Sequence, residues 1–258
     1  MCRQLRRLFL AAFFLCAAAA VQYLLFPPRN AVHRKEQQLL QKLAETATLP
    51  TDSSIASGQP ASQSKPDLSS LTAQNSDIVA WIHIPGAGIS LPVMQGADNS
   101  AYLYRNFYGE QSISGTPFLD YANSPDFSDD NSIIYGHNLF DGSTTAFSSL
   151  PRYTSTAFWQ KNPEICLFTS DGKSTLYRIF AVCQFDVSAA DAAQTYYRQD
   201  FRSQAFAAAY TENLLRCSVL QAKEPVPAGS RLLTLSTCDR SLYGENGRLI
   251  VVGYLIQK

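Results

Sequence analysis

Eight short segments rich in Ile, Val, Tyr and Phe constrain the fold of this chain more than any other feature. Clusters of Gly, Pro, Asn and Asp separate them, as is typical of β-strands and their turns. Because a series of short strands with few crossover helices hides its edges best by closing on itself, we predict a mostly β fold built on an eight-stranded, closed or nearly closed barrel. The predicted strands are residues 79–84, 89–94, 117–121, 132–135, 164–169, 174–187, 231–237 and 249–256.

Three segments interrupt the strand pattern and predict helices. Residues 200–220 carry apolar side chains on or near one helical face, which indicates a long helix between the sixth and seventh strands. Residues 144–160 predict a shorter helix after His137. At the start of the domain, residues 67–75 predict an N-terminal helix capped by Asp67 or Ser69.

An apolar run precedes the predicted domain. Residues 8–26 contain only Gln22 and Tyr23 as polar interruptions, and nineteen residues are just long enough to cross a bilayer. Three arginines in front of the run predict a cytoplasmic N-terminus and an extracellular remainder. A cleaved secretory signal is the alternative, because Ala17–Ala20 offers small residues of the cleavage type. The run continues to Phe26, which favours a retained anchor.

The chain therefore divides into three predicted parts. Residues 1–27 form a cytoplasmic tip and transmembrane anchor, residues 28–68 form a spacer, and residues 69–258 form one catalytic domain. Within the spacer, residues 34–46 predict a short amphipathic helix, and the stretch that follows is rich in Ser, Pro, Ala and Gln, as in flexible linkers. About 190 residues are enough for a single well-buried core.

The charge distribution excludes one class of function. The formal net charge of the whole chain is zero, but residues 1–35 hold six basic residues and no acidic one. The remaining residues therefore carry 15 basic against 21 acidic groups. Such an acidic domain is not expected to bind nucleic acid.

Three short motifs carry the groups that amide cleavage through a thioester requires. They are Tyr135-Gly136-His137, the strand end Thr234-Leu235-Ser236-Thr237-Cys238, and Gly247-Arg248. A cysteine thiolate attacks carbonyl carbons. A histidine can protonate a departing amine and deprotonate an incoming one. Because arginine is permanently charged and forked, it suits the oxyanion of a tetrahedral intermediate.

Together these motifs resemble the sortase family, the membrane-anchored cysteine transpeptidases of Gram-positive bacteria. The family signature is a Thr-Leu-x-Thr-Cys strand end, an Arg about ten residues later and an upstream Gly-His, which here are residues 234–238, Arg248 and 136–137. The serine at 236 and the segments 115–121 and 133–138 resemble class B. The likeness extends from about residue 77 to residue 257.

The resemblance implies a function and a set of site residues. It implies that Cys238 attacks a C-terminal sorting motif of an exported protein, that His137 and Arg248 complete the catalytic site, and that an amine of cell-wall precursor or a pilin lysine resolves the acyl-enzyme. It further implies substrate contacts by Asn99, Ser236 and the backbone of Asp239. No cofactor or metal is implied, and no carboxylate is placed by sequence to orient the histidine.

Several alternatives stay open at this stage. A thiol hydrolase has the same site, and a non-catalytic wall-binding module is disfavoured by the intact catalytic groups. The sequence does not fix the sorting motif, the acceptor amine or the choice between wall anchoring and pilus assembly. A calcium site at Asp126, Asp129 and Asp130 is disfavoured against solvated turn carboxylates. A disulfide between Cys166 and Cys183 is a minor alternative to buried thiols.

Overall fold

The computed structural model describes residues 66–222 and 224–257, with two short helical pieces at 38–39 and 42–43. The chain divides into two units, Met1–Lys42 and Leu43–Lys258, and the strands that the structure describes belong to the second. The predicted anchor at 8–26, most of the helix at 34–46 and the spacer up to residue 65 lie outside the described residues. Within the described part, none of the helices has both the length and the apolar character needed to span a bilayer.

Eight strands close into a barrel, which confirms the predicted fold class. Around the barrel their order is β1-β2-β3-β4-β7-β8-β6-β5. The bounds agree closely with the predicted segments, and only the third strand is clearly shorter than expected. The strands are β1 (Ile78–Ile84), β2 (Ile89–Met94), β3 (Phe118–Leu119), β4 (Asn131–Tyr135), β5 (Glu164–Thr169), β6 (Ser174–Asp186), β7 (Leu232–Cys238) and β8 (Gly247–Gln257).

Most neighbouring strands are antiparallel, but β2 and β3 run in the same direction, and so do β4 and β7. The β4–β7 pair is five residues long and joins Asn131 to Leu232 at one end and Tyr135 to Ser236 at the other. Both strands are buried along nearly their whole length, as expected of parallel strands covered on both faces. Because parallel strands end at the same edge of a sheet, the residues that follow β4 and β7 meet at one rim of the barrel.

Five α-helices lie around the barrel within residues 66–222 and 224–257. The N-terminal helix is capped by Asp67, as predicted, and the long helix between β6 and β7 is capped by Ser203. That long helix packs on β6 through Leu214 and Tyr210, and its apolar face completes an outer core cluster. The helices are α1 (Leu68–Thr72), α2 (Thr156–Lys161), α3 (Ala192–Tyr196), α4 (Gln204–Cys217) and α5 (Arg240–Tyr243).

The connection between β7 and β8 is more structured than a simple turn. Helix α5 and a 3-10 turn, Gly244–Asn246, occupy it. The two strands nevertheless pair antiparallel along their whole length, from Leu232 opposite Tyr254 to Cys238 opposite Arg248.

The strand register excludes the disulfide alternative. Cys166 lies opposite Leu176, whereas Cys183 lies further along β6, opposite Ile250 on its other side. Both thiols are free, as is that of Cys217. Burial raises the pKa of Cys183 to about 12, so this thiol is unreactive at neutral pH.

Candidate active site

The parallel pair β4–β7 places a histidine beside a cysteine. Beyond Tyr135 and Ser236 the two segments stay hydrogen-bonded to each other. The Gly136 amide donates to the Ser236 carbonyl at 3.0 Å, and the Thr237 hydroxyl donates to the Gly136 carbonyl at 2.7 Å. The next residues are His137 on the first segment and Cys238 on the second. Sequence alone did not reveal this parallel pairing.

Asn138 secures the same junction one residue later. Its Nδ2 donates to the Cys238 carbonyl at 3.0 Å, and its Oδ1 accepts from the Phe140 amide at 2.9 Å. The segment that carries Cys238 is therefore hydrogen-bonded to the segment that carries His137 both before and after these two residues.

The antiparallel pair β7–β8 places the arginine opposite the cysteine. Cys238 and Arg248 are register partners at the end of this ladder, and the Asp239 amide donates to the Gly247 carbonyl at 3.0 Å. The two backbones approach so closely here that a Cβ on Gly247 would lie 1.8 Å from the backbone carbonyl oxygen of Asp239. Glycine at 247 is therefore required for this approach.

Arg248 is anchored by one end of its guanidinium. Its Nη1 donates to the carbonyls of Glu245 and Gly247, at 3.1 and 2.9 Å. Within residues 66–222 and 224–257, no carboxylate forms an ion pair with Arg248. Since the guanidinium has five N–H donors, its charge and its remaining donors are available to an anion in the groove.

His137 is oriented by a backbone carbonyl. Its Nε2 lies 2.8 Å from the Leu103 carbonyl oxygen, and the Tyr104 ring lies against the imidazole with centroids 5.2 Å apart. Because a carbonyl oxygen only accepts, Nε2 carries the hydrogen. In the neutral ring Nδ1 is then the nitrogen with the free lone pair. Sequence gave no signal for this partner, which lies 34 residues upstream.

The surroundings of His137 favour its neutral form. Burial lowers the pKa of the imidazole below its ordinary value of 6.5, and the bond to the Leu103 carbonyl opposes this shift in part. Phe147 packs behind the preceding residue so tightly that a Cβ on Gly136 would lie 2.7 Å from its ring. Packing against Phe147 therefore accounts for the glycine that precedes His137.

An open groove of about 340 Å³ connects these groups. Five of the six predicted site residues line it, namely the three catalytic candidates with Asn99 and Ser236. The complete lining is Asn99, Leu103, Phe118, Tyr135, Gly136, His137, Ser236, Thr237, Cys238 and Arg248.

Asp239 is the predicted residue that does not line the groove. It is 7% exposed, its carboxylate accepts from the Gln184 side chain and from the Ser241 amide, and it caps α5. Its backbone amide, expected near the oxyanion, instead donates to Gly247. The structure gives Asp239 a structural role at the β7–β8 connection, and a substrate contact of this residue stays a prediction.

Tyr197 adds a contact that sequence reasoning missed. Its hydroxyl lies 2.8 Å from the hydroxyl of Ser236, so this tyrosine, in the connection between α3 and α4, contacts a residue that lines the groove. Burial raises the pKa of Tyr197 to about 12, although Ser236 and the Arg248 charge oppose the shift. The phenol is therefore neutral at physiological pH.

The acidic residues 126–130 serve the turn that precedes β4. Asp129 accepts from the Asn123 side chain, the Ser124 amide and the Ser124 hydroxyl, and Asp130 accepts from the Phe201 amide. Among the described residues, no group of three or more His, Cys, Asp or Glu side chains is arranged to hold a metal ion.

Comparison with known proteins now decides the family. The model of the sortase domain matches residues 82–256. The chain belongs to the sortase family. Sortase B of Listeria monocytogenes serovar 1/2a (strain ATCC BAA-679 / EGD-e) is 33% identical to it over 194 residues, which are 74% of this chain and 75% of that protein. This sortase is therefore a cysteine transpeptidase of the class B type, as the motifs predicted.

Solved structures agree with this assignment. Sortase B from Bacillus anthracis, in complex with AAEK1, has a TM-score of 0.71 and 26% identity, and the match covers 88% of this chain and 99% of that one. A Staphylococcus aureus sortase B–substrate complex has a TM-score of 0.66 and 26% identity, with coverage of 88% and 94%. The described barrel therefore has the architecture of class B sortases.

Proposed function

We propose that this sortase cleaves a sorting motif near the C-terminus of an exported protein and joins the new acyl end to an amine. The observation that carries the proposal is the convergence of Cys238, His137 and Arg248 on one open groove at the barrel rim. The S. aureus relative has been solved with a substrate, which supports a peptide groove in this family.

The acylation step assigns one role to each residue. The Cys238 thiolate attacks the scissile carbonyl carbon, a C–S bond forms, and the carbonyl π electrons move onto oxygen. Arg248 donates to this oxyanion through the N–H groups that its anchors leave free. When the intermediate collapses, the C–N bond breaks and the imidazolium of His137 gives its Nδ1 proton to the departing amine.

The second step reverses these transfers with a new amine. Neutral His137 removes a proton from the acceptor as its nitrogen attacks the thioester carbonyl, and the Cys238 thiolate leaves. Water at the same position would give hydrolysis instead. The expected acceptors are an amine of cell-wall precursor or a pilin lysine, which the family resemblance implies.

The low pKa of His137 sets a condition on this mechanism. Burial disfavours the imidazolium, so the acid form that protonates the leaving group is a minority species at neutral pH. The Leu103 carbonyl stabilises that minority form, because the N–H of the charged ring donates a stronger hydrogen bond to it than the N–H of the neutral ring.

We also propose that residues 8–26 hold the enzyme in the cell membrane, with the N-terminus in the cytoplasm and the catalytic domain outside. The proposal is supported by the apolar run and by Arg3, Arg6 and Arg7 in front of it. Membrane fractionation followed by the intact mass of the extracted protein tests it. A soluble protein shortened near residue 20 would contradict it.

The decisive experiment compares products with and without an amine. The full-length enzyme is incubated with peptides taken from sorting signals encoded by neighbouring genes, alone or with triglycine or diaminopimelate. We expect a product whose mass equals the acyl fragment joined to the acceptor. If every acceptor gives the hydrolysis product alone, the enzyme is a thiol peptidase and not a transpeptidase.

A further inference from the structure

Asp120 is a buried carboxylate directly behind the wall of the groove. It follows β3, it is 5% exposed, and it is not one of the groove-lining residues. In the part of the chain that the structure describes, no Lys, Arg or His pairs with it. A buried charge without a cationic partner is stable only if hydrogen-bond donors surround it. The groups that donate to Asp120 are therefore the groups whose positions it fixes.

Two of those donors are side chains of the groove. Asp120 Oδ2 accepts from the Tyr135 hydroxyl at 2.9 Å and from Asn99 Nδ2 at 3.0 Å, while Oδ1 accepts from the Ala122 amide at 3.0 Å. Its own amide donates to the Ile133 carbonyl at 2.8 Å, so the barrel fixes its backbone. One oxygen of Asp120 therefore joins two residues that face the substrate groove.

The contacts of Asn99 allow only one orientation of its amide. Its Oδ1 accepts from the Tyr121 amide at 3.0 Å, and its Nδ2 donates to Asp120. The flipped amide would place two donors against each other at Tyr121 and two acceptors against each other at Asp120. One N–H of Asn99 remains unused by these contacts.

The same oxygen also decides what Tyr135 can offer. A carboxylate oxygen only accepts, so the Tyr135 hydroxyl donates its hydrogen to Asp120. Toward any further partner the phenol oxygen can then only accept. Asn99 and Tyr135 therefore present one donor and one acceptor within two hydrogen-bond lengths of each other. This pair complements the C=O and N–H of an extended peptide backbone.

We infer that Asp120 is a positioning residue of the substrate groove, which fixes Asn99 as a donor and Tyr135 as an acceptor toward the backbone of the acyl-donor peptide. This inference rests on the proposed function. It separates two tasks, because Asp120 governs how the peptide is held and the triad of Cys238, His137 and Arg248 governs its cleavage.

Peptide binding and a spectroscopic signal test the inference in the full-length protein. In a Cys238→Ala background, which stops acylation, Asp120→Ala should raise the Kd of the sorting peptide roughly tenfold, or about 1.4 kcal/mol, and Asp120→Asn roughly fivefold, or about 1 kcal/mol, because the groups that hold the peptide lose their fixed orientation. Asp120→Asn keeps the shape of the side chain if the alanine variant fails to fold. The two proton signals of the ¹⁵N-labelled side-chain NH2 of Asn99 should move toward the shifts of a solvent-exposed asparagine in the same variants, because the hydrogen bond to Asp120 is lost.

A double-mutant cycle separates positioning from general stability. In an Asn99→Ala background the effect of Asp120→Asn on the Kd should shrink, since only Tyr135 is then left to be positioned, and adding Tyr135→Phe should reduce it to less than about twofold. Asp126→Asn is the matched control, because Asp126 is an exposed carboxylate of the same segment that accepts from the Ser128 amide and is not one of the groove-lining residues. It should leave the Kd unchanged.

The outcomes distinguish this inference from the function on which it rests. Unchanged Asn99 signals, or equal effects of Asp120→Asn with and without Asn99, would overturn the positioning role even if the enzyme is a transpeptidase. If the wild-type protein binds and cleaves no sorting peptide, the proposed function fails and the peptide-holding role fails with it. The Asn99 signals would then still report whether Asp120 fixes the amide.

Discussion

Replacing Arg248 by lysine separates the charge of this residue from its shape. In the structure, Nη1 is held by the Glu245 and Gly247 carbonyls, which leaves the other guanidinium nitrogens for the oxyanion. A lysine has a single nitrogen, so it must either keep these anchors or reach the oxyanion. Arg248→Lys therefore loses one strong transition-state donor.

The size of the effect follows from this loss. Removing one oxyanion donor typically lowers kcat by about 10²-fold, or about 2.7 kcal/mol, and we expect KM to change by less than about twofold. The two anchoring bonds are partly exposed and together contribute about 1 kcal/mol to stability, which corresponds to a decrease in Tm of about 2–4 °C for a domain of this size.

Steady-state kinetics on a sorting peptide, alongside thermal melting, measures both quantities. Arg240→Lys is the matched control, since this exposed arginine of α5 pairs with Glu245 and does not line the groove. It should leave kcat unchanged. An Arg248→Lys enzyme with near-normal kcat, or one whose defect follows a large loss of Tm, would refute the oxyanion role.

Three further predictions concern the surroundings of the site. Gly136→Ala should cost about 1–3 kcal/mol of stability and lower kcat, because the new methyl group overlaps the buried Phe147 ring; a urea titration with wild-type midpoint and activity would contradict it. Burial lowers the pKa of both His83 and His137, so the unfolded state binds more protons just below pH 6.5, and the free energy of unfolding should fall as the pH drops from 7 to 5. His83→Gln should reduce the dependence of the free energy of unfolding on pH, and an unchanged dependence would contradict the contribution of His83. Tyr197→Phe removes the hydroxyl that contacts Ser236 and should raise KM severalfold with little change in kcat; a loss confined to kcat would place the phenol in the chemistry instead.

The elements of this enzyme that sequence predicts well are those with local signals. Strand residues and their turns follow one another along the chain, so all eight strands were placed within a few residues. Cys238 and Arg248 are only ten residues apart on neighbouring strands, and the short connection through α5 brings them together. The long helix α4 carries its own apolar face and its own cap at Ser203.

The parts that sequence does not predict depend on pairing between distant segments. The parallel alignment of β4 with β7 joins residues about a hundred positions apart and has no local signal. The Leu103 carbonyl that orients His137 is a backbone group, which every residue has, so no residue type announces it. The capping of α5 by Asp239 was also not predicted, because its place next to the motif suggested a substrate contact and gave no sign of a helix in the β7–β8 connection.

The central claim is that Cys238 forms a thioester with the acyl half of a sorting peptide. Acid-quenched reactions of the full-length enzyme, digested and analysed by mass spectrometry, test it most directly. We predict an adduct on the peptide that contains Cys238, released by neutral hydroxylamine, and no adduct in Cys238→Ala. An adduct on Cys166, Cys183 or Cys217 instead, or normal product formation by the Cys238→Ala enzyme, would contradict the claim.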